Sequence, residues 1–93
     1  MPPIEWKRAA YADLWAIVDY ISDDNPEAAQ ELKDELVATV DKLPRNPQMY
    51  RTGRVSDTRE TVVKKNYVVA YSETPSKITI LRILHACLLY TSP

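Results

Sequence analysis

Residues 78–84 read Ile-Thr-Ile-Leu-Arg-Ile-Leu, with apolar residues at both parities of a strand and one charge, Arg82. A strand with one wet face alternates apolar and polar residues; a run apolar on both faces has to be covered on both sides. Such a strand is expected at the centre of a sheet, so the rest of the chain must supply its neighbours and its cover. Two β-rich segments lie just upstream, Thr58-Arg59-Glu60-Thr61-Val62-Val63 and Asn66-Tyr67-Val68-Val69-Ala70-Tyr71. Asn66 marks the first turn and Glu73-Thr74-Pro75-Ser76-Lys77 the second, so the three segments read as an antiparallel meander.

The cover comes from the first half of the chain. Pro2 and Pro3 hold Ile4-Glu5-Trp6 extended, a short strand expected to join the sheet. From Ala9 the period becomes helical: Ala10, Leu14, Ile17, Val18 and Ile21 form one apolar stripe. Tyr11 and Trp15 lie beside that stripe, and Asp13 and Asp19 are expected to face away from it. Short polar side chains at Ser22-Asp23-Asp24 end this helix. Asn25-Pro26 opens the next one, Asn25 as cap and Pro26 at the first helical position, with Glu27 near the positive end of the dipole. Ala29, Leu32, Leu36, Val40 and Leu43 make its stripe, and Pro44 stops it. Two helices joined by so short a turn predict an antiparallel hairpin packed on the sheet. The expected class is α+β: N-terminal strand, helical hairpin, three-stranded antiparallel meander.

Length and composition bound what such a chain does. Ninety-three residues suit one domain, residues 1–93, and a domain of that size buries about 60–65% of its unfolded surface. One cysteine, Cys87, rules out an internal disulfide and a multi-cysteine zinc site. No apolar run is long enough to span a bilayer, and Met-Pro-Pro-Ile-Glu-Trp is no signal peptide, so a cytoplasmic location is expected. The net charge of −1 hides an asymmetry: residues 1–43 hold 4 Lys/Arg and 10 Asp/Glu, residues 44–93 hold 8 and 3. An acidic helical half and a basic sheet half place an acidic partner on the second half, unless the helices simply carry solvated carboxylates.

Chemistry-bearing residues are few. One glycine cannot build a phosphate loop, and no His, Cys or carboxylate cluster has metal-ligand spacing, so neither cofactor nor metal is expected. His85, the single histidine, either works in catalysis or closes the core at a strand end. Arg82 has to reach the surface or meet an anion, with Glu60 or a helix carboxylate as structural partner and a phosphate or partner carboxylate as functional one. Arg59 and Glu60 fall on opposite faces of their strand. Arg51, Arg54, Lys64 and Lys65 supply a basic rim. Residues 44–57 read as one long loop, of a length that is often functional or partner-bound, or as a crossover anchored by Met49, Tyr50 and Val55.

Arg59-Glu60, Asn66-Tyr67-Val68-Val69-Ala70-Tyr71 and Leu84-His85-Ala86, set behind a helical hairpin, resemble the RelE/ParE superfamily of toxins from bacterial type II toxin–antitoxin pairs. The resemblance runs from Ile4 to Ala86 and is nearest the ParE branch. It implies a toxin that inhibits DNA gyrase without being an enzyme, neutralised by an antitoxin whose C-terminal segment folds on the sheet and hairpin. Tyr11, Trp15, Arg51, Arg54, Arg59, Lys64, Lys65 and Arg82 are then candidate antitoxin or target contacts. RelE-like relatives instead cut mRNA on the ribosome with several basic residues and a C-terminal tyrosine. Here Val68 and Ala86-Cys87 stand where two of those basic residues are expected, so a catalytic set would fall to Arg54, Arg59, Arg82, His85 and Tyr90. A third possibility is a non-toxic module that keeps only the antitoxin interface. Residues 87–93, Cys-Leu-Leu-Tyr-Thr-Ser-Pro, depart from the arginines usual there: an apolar tail that packs on the protein, or a foreign end.

Overall fold

The computed structural model describes residues 3–45, the backbone of 51–52, and residues 58–64 and 66–85. The order is β1 (Ile4–Trp6), α1 (Arg8–Ser22), α2 (Pro26–Lys42), β2 (Arg51–Thr52), β3 (Arg59–Val63), β4 (Tyr67–Glu73) and β5 (Ile78–His85). The strands form a sheet in the order β1-β5-β4-β3-β2. The α+β class, the hairpin and the β3-β4-β5 meander agree with the sequence reading. One addition corrects it: β2 pairs antiparallel with β3, Arg51 opposite Glu60, inside the span read as a single loop. Met49, Tyr50 and Val55 lie outside the described residues.

β5 sits between β1, parallel, and β4, antiparallel. The parallel pairing follows from the crossover through the hairpin, since antiparallel neighbours need only a turn. Ile78 N–H donates to Pro3 O, and Lys7 N–H to Ile80 O, both at 2.9 Å. β1 stops there because α1 begins at Arg8. Ile78, Thr79 and Ile80 are buried, as expected of a central strand; farther on the strand opens, and Arg82 is exposed. The register explains the change. Tyr71 pairs with Ile80 but Ala70 with Arg82, so Leu81 is an extra residue, a β-bulge. The core residues of β5 are consequently Ile78, Ile80 and Ile83, spaced two and then three apart. The bulge takes Arg82 out of the core parity and puts Ile83 in.

The helical stripes close the core as read. Ala10 and Leu14 from α1, and Leu32, Leu36 and Val40 from α2, pack with Leu43, Val63, Val69, Tyr71 and the three β5 isoleucines. Asn25 caps α2, its Oδ1 accepting from Ala28 N–H at 3.1 Å, with Pro26 in the first turn. The β3-β4 turn takes its left-handed residue from Lys64 (φ 52°), with Asn66 two residues on. Among the described residues no helix is long and apolar enough to cross a membrane.

Candidate functional site

Beyond Trp6 the last residues of β5 have no strand on the β1 side, and α1 takes that place. Asp13 stands one turn into α1 and turns toward the strand. Its Oδ2 accepts the Ile83 backbone N–H at 2.9 Å, the bond a further β1 carbonyl would otherwise have made. Arg82 forks onto the same carboxylate, Nε to Oδ2 at 2.7 Å and Nη2 to Oδ1 at 3.0 Å. Such bidentate, charge-assisted geometry is stronger than a neutral hydrogen bond. The sequence reading placed Asp13 on the outward face; the structure corrects this, because α1 lies against the edge of β5 and turns that face inward. Of the two structural partners open to Arg82, the helix carboxylate is the one it takes.

Burial works to raise the Asp13 carboxyl above its ordinary value. The Arg82 hydrogen bond, the Ile83 N–H and the Arg82 charge outweigh it, and the group is held below that value. The Asp13 side chain is 17% exposed and that of Arg82 51%.

This junction forms one wall of a cleft of about 400 Å³ between α1 and the ends of β4 and β5. Ala16, Ile17, Ile83 and Leu84 give it an apolar lining; Tyr20, Tyr67 and His85 add rings; Asp13 and Arg82 border it. The Tyr67 and His85 rings meet edge to face with centroids 5.2 Å apart. Burial first, and Tyr20 second, push the Tyr67 hydroxyl above its usual value. Such a lining suits an apolar or aromatic group with a few polar anchors. Among the described residues, no three His, Cys, Asp or Glu side chains converge on a metal position.

The candidates named from the sequence scatter over the molecule. Arg82 and His85 meet at the cleft. Arg59 is half-buried on β3 and Glu60 is buried beside it. Lys64 lies 3.8 Å from Glu31 at a shallow depression of α2 carboxylates, away from the cleft. Tyr11 and Trp15 are half-exposed on α1. Arg51 is described through its backbone in β2, while Arg54, Lys65 and Tyr90 lie outside the described residues. Sequence reasoning missed Asp13, Tyr20 and Tyr67 as lining residues. Asp13 and Tyr20 fall off the apolar stripe together, seven residues apart, and that shared helical face was the available signal.

Residues 4–87 match the family model of the ParE toxin of the type II toxin–antitoxin system parDE. The chain belongs to the ParE toxin family. It is thus a type II toxin–antitoxin toxin of the ParE/RelE superfamily, and the relatives agree. It is 37% identical over 86 residues to the toxin RelE2 of Caulobacter vibrioides, covering 92% of this chain and 97% of that one. It is 33% identical to the putative toxin Y4kP of Sinorhizobium fredii, over 89% of this chain and 86% of the relative. The fold matches a chain of the chromosomal ParDE system of P. aeruginosa with a TM-score of 0.81 at 28% identity, over 91% and 96% of the two chains. YafQ of E. coli shares the fold, with a TM-score of 0.69 at 14% identity, over 97% and 99%.

Proposed function

We propose that this ParE-family toxin acts in the cytoplasm by binding a protein target, DNA gyrase, and is neutralised by a cognate antitoxin. The carrying observation is the state of Arg82. Its Nε and Nη2 are both engaged by Asp13, so the cation of the central strand serves the fold at the cleft. Phosphodiester cleavage needs cations where charge develops on the scissile phosphate. Recruiting Arg82 for that work would leave Asp13 with the Ile83 N–H but without its cation. A surface built for protein contact makes no such demand. Gyrase as the target rests on the resemblance to ParE-like toxins. The antitoxin follows from family membership and from the solved ParDE system of P. aeruginosa.

Ribosome-dependent mRNA cleavage is the second reading, and one observation favours it. His85 lies beside Tyr67 in the cleft, and an imidazole offers both a proton donor and an acceptor. The RelE2 relative supports the same reading. The two separate in one pair of assays on the purified chain, gyrase supercoiling and translation-coupled mRNA cleavage. The gyrase reading expects supercoiling to fall while message stays intact. Cleaved message with normal supercoiling would replace it with the RelE-like reading, and His85→Ala would then be expected to lower cleavage at least tenfold.

A further inference from the structure

The walls of the cleft beside α1 differ in chemistry, and together they describe one ligand. Ala16 and Ile17 of α1 and Ile83 and Leu84 of β5 make an apolar lining. The Tyr67 ring meets His85 edge to face with centroids 5.2 Å apart, so the aromatic wall is formed before anything binds. Burial pushes the Tyr67 hydroxyl above its ordinary value, so at neutral pH it keeps its proton and can donate. A space of about 400 Å³ lies toward the small end of ligand pockets and suits a single aromatic or branched side chain.

Charge at the border is one-sided. Asp13 is 17% exposed and Arg82 51%, so an arriving group meets the guanidinium rather than the carboxylate. Asp13 engages Nε and Nη2, and a guanidinium carries further N–H donors in the same planar fork. An anion can therefore join Arg82 without displacing Asp13. With its charge already balanced by Asp13, Arg82 offers such an anion directed hydrogen bonds, which is chemistry of recognition.

Tyr20 decides between a free small molecule and a protein. It borders the cleft and is 78% exposed, more than Tyr11, Trp15, Val37 or Val62. A molecule that fits inside the cleft leaves most of that ring in water. A protein segment seated there covers it, and tyrosines covered beside a filled pocket are common contact hot spots.

We infer that the cleft receives an apolar or aromatic side chain of the toxin's protein target, with a neighbouring carboxylate of that target bound by Arg82. This rests on the protein-target reading for the identity of the partner. The cleft, its exposed cation and its tyrosine rim are read from this chain alone.

Two probes test it on the folded full chain: DNA gyrase, and N-acetyl-phenylalanine with its uncharged amide as reference. Ala16 lines the cleft but is exposed, so replacing it spares the core. Ala16→Glu adds bulk and a negative charge, and Ala16→Gln the same bulk without the charge. The Glu variant is expected to weaken gyrase binding at least tenfold, the Gln variant clearly less, and Tyr20→Ala several-fold. Val62→Ala, an exposed valine on the sheet, is expected to leave binding within twofold. N-acetyl-phenylalanine is expected to shift the Tyr67 and His85 ring-proton signals at millimolar concentration, and the amide to bind several-fold more weakly. Gyrase binding that ignores Ala16→Glu and Tyr20→Ala overturns the docking site and leaves the gyrase reading standing. Equal losses with Glu and Gln overturn the anionic contact. If the wild-type chain does not bind gyrase, that reading fails, and the small probe decides the cleft. Shifts that Ala16→Glu abolishes then sustain the site; no shifts, or equal binding of the amide, overturn it. Thermal melts of each variant separate lost contacts from lost folding.

Discussion

The two halves of β5 meet the same demand by different means. Ile78–Ile80 lies between two strands, and its backbone bonds run to β1 on one side and β4 on the other. Arg82–His85 keeps β4 but has outrun β1, and there a helix carboxylate takes the place of the missing strand. Where a strand is flanked on both sides, buried side chains and ladder bonds suffice, and the sequence there carries no charge. Where one neighbour ends, the exposed N–H needs another acceptor, and meeting it opens a cleft that a continued β1 would have filled. The half that is regular holds the fold together, and the half that is not carries the candidate site.

Deleting Leu81 breaks the comparison most severely. Without the bulge residue the parity beyond Ile80 reverses, Arg82 turns toward the core and Ile83 away from it. Burying an unpaired guanidinium costs several kcal/mol, comparable with a domain's whole stability of about 5–15 kcal/mol. The variant is expected to lack a cooperative urea transition; a native-like transition would show that the bulge does not set the parity.

Ile80→Ala tests the regular half. The side chain is fully buried, and truncation is expected to cost about 2–5 kcal/mol through lost transfer energy and a residual cavity. A loss near zero in chemical denaturation would mean the core collapses onto the site.

Asp13→Ala tests the other half and should cost less, about 1–3 kcal/mol, chiefly from leaving the part-buried Ile83 N–H without its acceptor. The half-exposed Arg82 head can turn to water and adds little. This effect has a pH signature. The folded-state value of Asp13 is depressed, so its contribution is complete above the unfolded value of about 3.9 and disappears as pH falls through the lower folded value. The stability gap between wild type and Asp13→Ala is expected to be constant near neutrality and to narrow only in acid below about pH 4. A gap that persists at the lowest pH where the protein folds would assign the effect to packing rather than charge.

The smallest effect lies outside β5. Asn25→Ala removes the α2 cap and is expected to cost about 1 kcal/mol while leaving the cleft unchanged. Tyr67 fluorescence or ring-proton shifts that move with this variant would contradict that independence.

How legible this was depended on the range of the interactions. Asn25-Pro26 announced α2, the stripes at Ala10–Ile21 and Ala29–Leu43 named the core faces, and residues 58–85 spelled out the meander. In each case the signal lies within a few residues, in caps, turns and periodicity. The site was less legible. Arg82 stood out as a charge in an apolar run, but its partner lies 69 residues away and was read as facing solvent.

The sequence by itself determined the elements, the side each turns to the core, the α+β class and the ParE family. Tertiary structure alone decided that β1 runs parallel to β5 and stops short, that Leu81 bulges, and that Asp13 closes the vacant edge. The physical reason is that periodicity is a property of one segment, whereas an unpaired N–H and a shifted parity arise only where two segments of unequal length meet.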